Sequence, residues 1–97
     1  MSFIETTTFR LDPGSDESAL LDADQRAQTE FFYRQPGLVR RTTARGGDGE
    51  WLVVALWASE AEADAARARS AADGAMSAFT ALLDGSSVRT RRYRALD

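Results

Sequence analysis

Two polar side chains attract attention because they interrupt an apolar stripe on the first helix that the sequence predicts. With side chains about 100° apart around a helix, Leu20, Ala27 and Phe31 share a face with Asp24 and Gln28. A carboxylate held away from water can have a raised pKa and accept a proton, as a general base does. Buried carboxylates are uncommon without partners, so the alternative is a solvated seam between two apolar edges. Asp24 and Gln28 are therefore candidates for the polar part of a site.

Large apolar side chains on other elements could form the walls of that site. Trp57 ends a predicted strand, while Met76 and Phe79 share the apolar stripe of the last predicted helix. At helical spacing this pair is also typical of ordinary core packing. If these side chains converge with the first helix, they form a cavity suited to a flat hydrophobic or aromatic ligand. The predicted ligand-binding residues are Gln28, Phe31, Trp57, Met76 and Phe79.

The composition excludes several kinds of reaction centre. The 97 residues include no His and no Cys, which removes disulfides, thiolate nucleophiles, imidazole bases and the usual zinc sites. All 12 basic side chains are Arg, so a lysine Schiff base is excluded as well. We therefore expect neither a metal nor a cofactor. The net charge of −3 argues against nucleic acid as a partner.

Length and hydropathy predict one domain that spans residues 1–97. A chain of this size buries a little over ~60% of its unfolded surface, enough for one modest core. No apolar run approaches the ~20 residues of a membrane span, and the opening MSFIETTTFR lacks the layout of a signal peptide. We expect a cytoplasmic protein with no membrane partner.

The middle of the sequence predicts a hairpin that runs directly into a helix. Leu38–Arg45 and Trp51–Trp57 are rich in β-branched and aromatic residues, and the glycine-rich stretch between them suits a tight reversal. Ser59 lies three residues before Glu62, which is the spacing of a capping box at a helix start. A second helix is therefore expected directly after the hairpin.

The flanking segments predict two more strands and two more helical segments. A first strand covers Phe3–Leu11, and the helix after it runs to about Arg34, because Pro36 pushes the residue before it out of the α region. Ser70 is expected to start the last helix, and Val88–Ala95 reads as the last strand.

Right-handed connections between these elements give one topology. The order β1-α1-β2-β3-α2(α3)-β4 predicts an α+β, ferredoxin-like fold, with a four-stranded antiparallel sheet in the order 4-1-3-2 and helices on one face. The Arg-rich second and fourth strands become the edges, where charge discourages unwanted pairing.

The third predicted strand is apolar on both of its faces. The alternating sets are Trp51, Val53, Ala55 and Trp57 on one face and Leu52, Val54 and Leu56 on the other. Helices can cover only one face of such a sheet, and an exposed apolar patch usually marks an association surface. A self-complementary patch closes most simply around a two-fold axis. We therefore expect a homodimer packed sheet to sheet.

Two short motifs, in this order and spacing, resemble those of the dimeric αβ-barrel superfamily, and within it the small antibiotic-biosynthesis-monooxygenase-like domains. They are Gln35, Pro36, Gly37 and Leu38 at the start of the second strand, and Trp57, Ser59, Glu60 and Ala63 at the strand-to-helix junction. The resemblance covers nearly the whole chain. It implies a homodimer of ferredoxin-like subunits, each with a ligand cavity between sheet and helices.

The resemblance also implies a class of reaction. Some members oxidise polycyclic phenols with molecular oxygen and without metal or flavin, and related members degrade haem. The haem-degrading members have an axial His, which this chain lacks, and the oxygenases' polar set of Asn, Trp, Tyr and Arg is incomplete because the sequence has no Asn. Only Trp57 carries over from the motif as a catalytic candidate, beside Asp24 from the helical pattern.

Three classes of function are compatible with these observations. The first is a cofactor-independent, monooxygenase-like enzyme acting on a flat aromatic or phenolic small molecule. The second is a non-catalytic homodimer that binds a small molecule or regulates a partner. An RNA-binding module with the same element order ranks last, because the third strand, WLVVALW, lacks the Gly-aromatic pattern of such domains.

Overall fold

A computed structural model describes residues 2–96 of the chain. In chain order the elements are β1 (Phe3–Phe9), α1 (Glu17–Glu30), a 3-10 turn (Phe32–Arg34), β2 (Leu38–Arg45), β3 (Trp51–Trp57), α2 (Glu60–Ser70), α3 (Gly74–Thr80), a second 3-10 turn (Gly85–Ser87) and β4 (Arg89–Arg94). None of the helices in the described range is both long and apolar enough to cross a membrane.

The four strands form one antiparallel sheet in the order β2-β3-β1-β4, with the helices packed on one face. The predicted ferredoxin-like fold and the order 4-1-3-2 are confirmed, and the Arg-rich β2 and β4 are the edges. One row of side chains crosses the helix-covered face from edge to edge. It consists of Arg92, Glu5, Ala55 and Arg41.

The two faces of β3 have different surroundings. Side chains of the set that begins with Trp51 and ends with Trp57 are all buried beneath the helices. The alternating set, Leu52, Val54 and Leu56, lies half-buried on the uncovered face of the sheet. The face with both tryptophans is therefore the one that the helices shelter.

Two clusters of buried side chains attach the helices to the sheet. The large-side-chain cluster lies under α1 and α3 and contains Phe9, Leu20, Ala27, Trp51, Val53 and Phe79. The alanine cluster lies under α2 and contains Phe3, Ala55, Trp57, Ala63 and Ala66. Phe32, half-buried, packs against both clusters and so lies between them.

Two helix boundaries differ from the sequence expectation. The helix expected to reach Arg34 ends at Glu30, because Phe31 leaves the helical region and a 3-10 turn follows. The last helix starts after Asp73 rather than Ser70, since the Asp73 carboxylate accepts the hydrogen bond from the Met76 N–H. The Ser70 hydroxyl instead donates to a carbonyl at the end of α2.

The cap at the start of α2 is confirmed, and it leans against the turn that opens β2. The Ser59 hydroxyl accepts from the Glu62 N–H at 3.2 Å and donates to the Glu62 carboxylate at 3.0 Å. Gly37 has φ +85°, and a Cβ there would lie 2.2 Å from Glu62 Cδ. The positive φ favours glycine at this position, and any side chain there would also push the Glu62 carboxylate aside.

Candidate functional site

A cavity of about 300 Å³ lies between the helix-covered face of the sheet and the helices, a size that suits a small ligand. Most of its wall is apolar. Phe31, Trp57, Met76 and Phe79, which the sequence predicts as ligand-binding residues, all line it. Polar side chains line it as well, and these include Glu5, Thr7, Arg41, Arg67 and Thr90.

Arg41 is the most deeply buried charged residue on this wall, with 5% of its surface exposed. Its Nη2 donates to Asp24 Oδ1 at 2.8 Å and its Nη1 donates to Gln28 Oε1 at 3.0 Å. The guanidinium also lies over the Phe32 ring, with Cζ 4.4 Å from the ring centroid. The Thr43 hydroxyl donates to the same Asp24 oxygen at 2.9 Å. A buried cation is thereby neutralised, hydrogen-bonded and stacked at once.

These contacts explain the polar break in the apolar stripe of α1. Asp24 and Gln28 lie one helical turn apart and face Arg41 on the neighbouring edge strand. They bind that guanidinium and are not among the side chains that line the cavity. Their contribution to the site therefore passes through Arg41.

A β-bulge aims Arg41 at the helices. Leu38 pairs with Trp57, yet the next paired residue of β2 is Arg40, so Val39 is an extra residue that lies 61% exposed. Without the bulge, alternation from Leu38 would turn Arg40 inward and Arg41 outward. The insertion of one residue thus decides which arginine reaches the cavity.

Two of the side chains that line the cavity carry N–H groups without partners. Arg41 Nε and Trp57 Nε1 are both buried, and neither has a hydrogen-bond acceptor within residues 2–96. A buried donor left unpaired costs about 1–3 kcal/mol, and native proteins pair nearly all such groups. Both unpaired donors belong to side chains that line the same cavity.

A second charged cluster lies at the other side of the cavity. Glu5 Oε2 accepts from Arg92 Nε at 2.9 Å and from Arg67 Nη2 at 3.3 Å. Arg92 also donates to Asp64 at 2.6 Å, and this hydrogen bond raises the pKa of the Arg92 guanidinium above its ordinary value. Through these contacts Arg92 links β4 and β1 to the α2 helix.

Comparison with other proteins gives matches in structure alone. No protein-family model matches the chain, and no curated protein does. The solved structure of SnoaB, a cofactor-independent oxygenase from Streptomyces nogalater, is similar with a TM-score of 0.81 and 21% identity, covering 99% of this chain and 94% of that one. The resemblance read from the sequence is confirmed at the level of fold.

Two further solved structures with this fold match over comparable lengths. A candidate antibiotic biosynthesis monooxygenase from Chloroflexus aurantiacus has a TM-score of 0.77 and 13% identity, covering 100% of this chain and 95% of that one. A conserved protein from Methanosarcina mazei has a TM-score of 0.76 and 10% identity, covering 97% and 92%. At these identities, the shared feature is the fold.

Sequence reasoning missed the three charged residues on the cavity wall, Glu5, Arg41 and Arg67. Arg41 was expected to be an edge-strand charge, because the bulge that reverses its direction leaves no clear mark in the sequence. The signal that could have found it is the pair Asp24 and Gln28, since two polar groups facing a sheet need a partner there. Glu5 had a similar signal, because it shares the inward parity of Phe3 and Phe9.

Proposed function

We propose that this protein is a cofactor-independent, monooxygenase-like enzyme that acts on a flat aromatic or phenolic small molecule. The observation that carries the proposal is the pair of unpartnered, buried N–H groups of Arg41 and Trp57 on one largely apolar cavity. An apolar cavity with two hydrogen-bond donors favours a flat ring system that bears an oxygen acceptor. The fold shared with SnoaB supports the same class of chemistry.

The proposed reaction needs only the substrate and molecular oxygen. A ring CH₂ group next to the phenol loses both hydrogens, one oxygen atom becomes the new carbonyl oxygen, and the other leaves with those hydrogens as water. In the first step a proton passes from this CH₂ group to solvent water, and negative charge is left on the ring oxygen. Arg41 Nε–H and Trp57 Nε1–H stabilise that charge, and preorganised donors of this kind act most strongly in a site without water. Phe31 and Phe79 hold the ring plane, and Met76 fills the remaining wall.

Asp24 has a positioning role in this proposal, because its Oδ1 is held by Arg41 and Thr43. Direct proton removal by Asp24 is the role that the helical pattern predicts, and Asp24→Asn distinguishes the two roles. A positioning role lowers kcat and raises KM together, because Arg41 loses its orientation and substrate binding weakens. A general-base role lowers kcat and leaves KM unchanged.

The direct test is oxygen uptake with anthrone-like phenols. We expect Trp57→Phe, which keeps an aromatic ring and removes the N–H, to lower kcat about a hundredfold, as loss of one oxyanion donor does. Trp51→Phe is the matched control, because Trp51 is buried on the same face of β3 but does not line the cavity. Its uptake rate should equal that of the wild type.

A non-catalytic homodimer that binds a small molecule is the second candidate, and the same cavity favours it. Calorimetric titration with the same phenols separates the two functions. Binding without oxygen uptake would support the second candidate, whereas the absence of both binding and uptake would overturn both. Nucleic acid is not a partner in either proposal, and both retain the cytoplasmic location expected from the sequence.

The proposal includes a homodimer packed through the uncovered face of the sheet. Ile4, Val54 and Leu56 line an apolar depression there, bordered by Arg40 and Thr42. Burial of such a patch against its two-fold copy would remove it from water. Light scattering coupled to size exclusion should show a dimer for the wild type and a monomer for Val54→Asp. A stable wild-type monomer at micromolar concentration would contradict this assembly.

A further inference from the structure

Glu5 is the one carboxylate on the cavity wall within the described range of the chain. It lies on the central strand β1, and its side chain is mostly sheltered, with 18% exposed. Arg92 comes from the neighbouring strand and Arg67 from α2 above it, so the carboxylate is fixed from two directions. Arg67 and Arg92 compensate the charge of Glu5, and Arg41 takes no part in this.

The two arginines engage only one of its oxygens. Both hydrogen bonds end on Oε2, and no donor within residues 2–96 reaches Oε1. A carboxylate oxygen can accept about two hydrogen bonds. A fixed acceptor with spare capacity on a cavity wall can bind an O–H group that enters the cavity.

The register of the sheet sets the spacing between this acceptor and the two unpartnered donors. Glu5 and Arg41 both pair with Ala55, from opposite sides of β3. They are therefore two strand spacings apart, about 10 Å between backbones. Ala55 lies between them, and its small side chain leaves the space between Glu5 and Arg41 open. The cavity is thus polar at two opposite sides, with donors at β2 and β3 and an acceptor at β1.

We infer that Glu5 is a specificity-determining residue that accepts a hydrogen bond from a hydroxyl group on the ligand. The inference rests on the proposed function and narrows its substrate class. The ligand is a fused-ring aromatic with an oxygen acceptor at one end, held by Arg41 and Trp57, and a hydroxyl donor at the opposite end, held by Glu5. Hydrogen bonds to a charged acceptor discriminate strongly, because a ligand without the donor leaves that acceptor unpaired.

The test compares two probes by calorimetric titration: a naphthalenediol with hydroxyls at opposite ends and the matching naphthol with one. We expect the wild type to bind the diol about tenfold more tightly, the effect of one charge-assisted hydrogen bond. In Glu5→Gln the preference should fall to about threefold or less, because a neutral acceptor replaces the carboxylate. If Glu5→Gln fails to fold, Glu5→Asp decides, since it keeps the charge and withdraws the oxygen from the cavity.

Asp64→Asn is the matched control. Asp64 also binds Arg92 but does not line the cavity, so the preference for the diol should keep its wild-type value. An equal affinity of the wild type for both probes, or an unchanged preference in the Glu5 variants, would overturn the inference and leave the proposed function intact. A loss of preference in Asp64→Asn would overturn it too, by showing that Arg92 causes the effect. If neither probe binds the wild type, the proposed function itself fails.

Discussion

The two parts of the helical layer are attached to one sheet by different interactions. Under α1 and α3, bulky side chains interlock, as where the rings of Phe9 and Phe79 meet at right angles with 5.8 Å between centroids. Under α2 the contacts come from Ala63 and Ala66, which bury little area. Ion pairs from Arg92 to Asp64 and from Arg67 to Glu5 supplement them. In each of these pairs one partner is more than half exposed, and such ion pairs contribute less to the free energy of unfolding than packing does.

This difference in packing explains why the cavity lies beside α2. Alanines on α2 leave space above the sheet that larger side chains would fill, and both Ala63 and Ala66 line that space. The large-side-chain cluster supplies the rigid wall on the other side, through Phe9, Val53 and Phe79. Stability should therefore reside mainly under α1 and α3, while the part under α2 provides room for a ligand.

The largest expected effect tests that division of stability. Phe79→Ala should lower the free energy of unfolding by about 3–5 kcal/mol, because it empties a packed position beside Phe9. Ala63→Gly under α2 should cost only about 1 kcal/mol, which is the helix-propensity difference. Urea denaturation monitored by circular dichroism measures both. Similar losses at the two positions would show that the two regions carry stability equally.

The next effect concerns the charge buried within the well-packed part. Asp24→Ala should cost about 3 kcal/mol, because it leaves Arg41 buried without its anion. The double variant Asp24→Leu with Arg41→Met should recover most of that loss, since an apolar pair of similar volume removes the charge altogether. Glu30→Ala on the same helix breaks an exposed pair with Arg26 and should change stability by less than about 0.5 kcal/mol. A double variant no more stable than Asp24→Ala would contradict this account.

The same comparison shows which features a sequence can predict. Regular alternation and capping signals gave the element order and the wall residues Phe31 and Phe79, because each follows from the local pattern, and the right-handed connection rule then gave the sheet order. The position of Arg41 depends on a one-residue bulge at Val39, and the engagement of Glu5 depends on two arginines distant in sequence. Both depend on which strands become neighbours. Helix α1 ended at Glu30 because Phe31 leaves the helical region, and α3 started after Asp73 because Asp73 caps it in place of Ser70.

Gly37 lies in the turn that opens β2, against the cap of α2, and its replacement should have an intermediate effect. Gly37→Ala should cost about 1–2 kcal/mol, because alanine disfavours positive φ and its Cβ would force the Glu62 carboxylate away from the α2 cap. Gly47→Ala is the matched control, since it has no neighbour within 4 Å and no positive φ. The difference in urea midpoint between the two variants measures the strain. Equal midpoints would mean that this turn does not constrain the start of α2.

The smallest expected effect distinguishes the two regions by their response to salt. Arg67→Gln removes an ion pair from α2 to Glu5, and because Arg67 is mostly exposed the loss should stay below about 1 kcal/mol at low salt. At about 1 M salt the Debye length shrinks to about 3 Å, so the difference from the wild type should nearly vanish. The loss in Asp24→Ala should persist at high salt, because Arg41 is shielded from solvent. Urea denaturation of both variants at the two salt concentrations makes the comparison. A salt-independent loss in Arg67→Gln would mean that its aliphatic stem packs on the cavity rim and holds α2 by burial, as the other two helices are held.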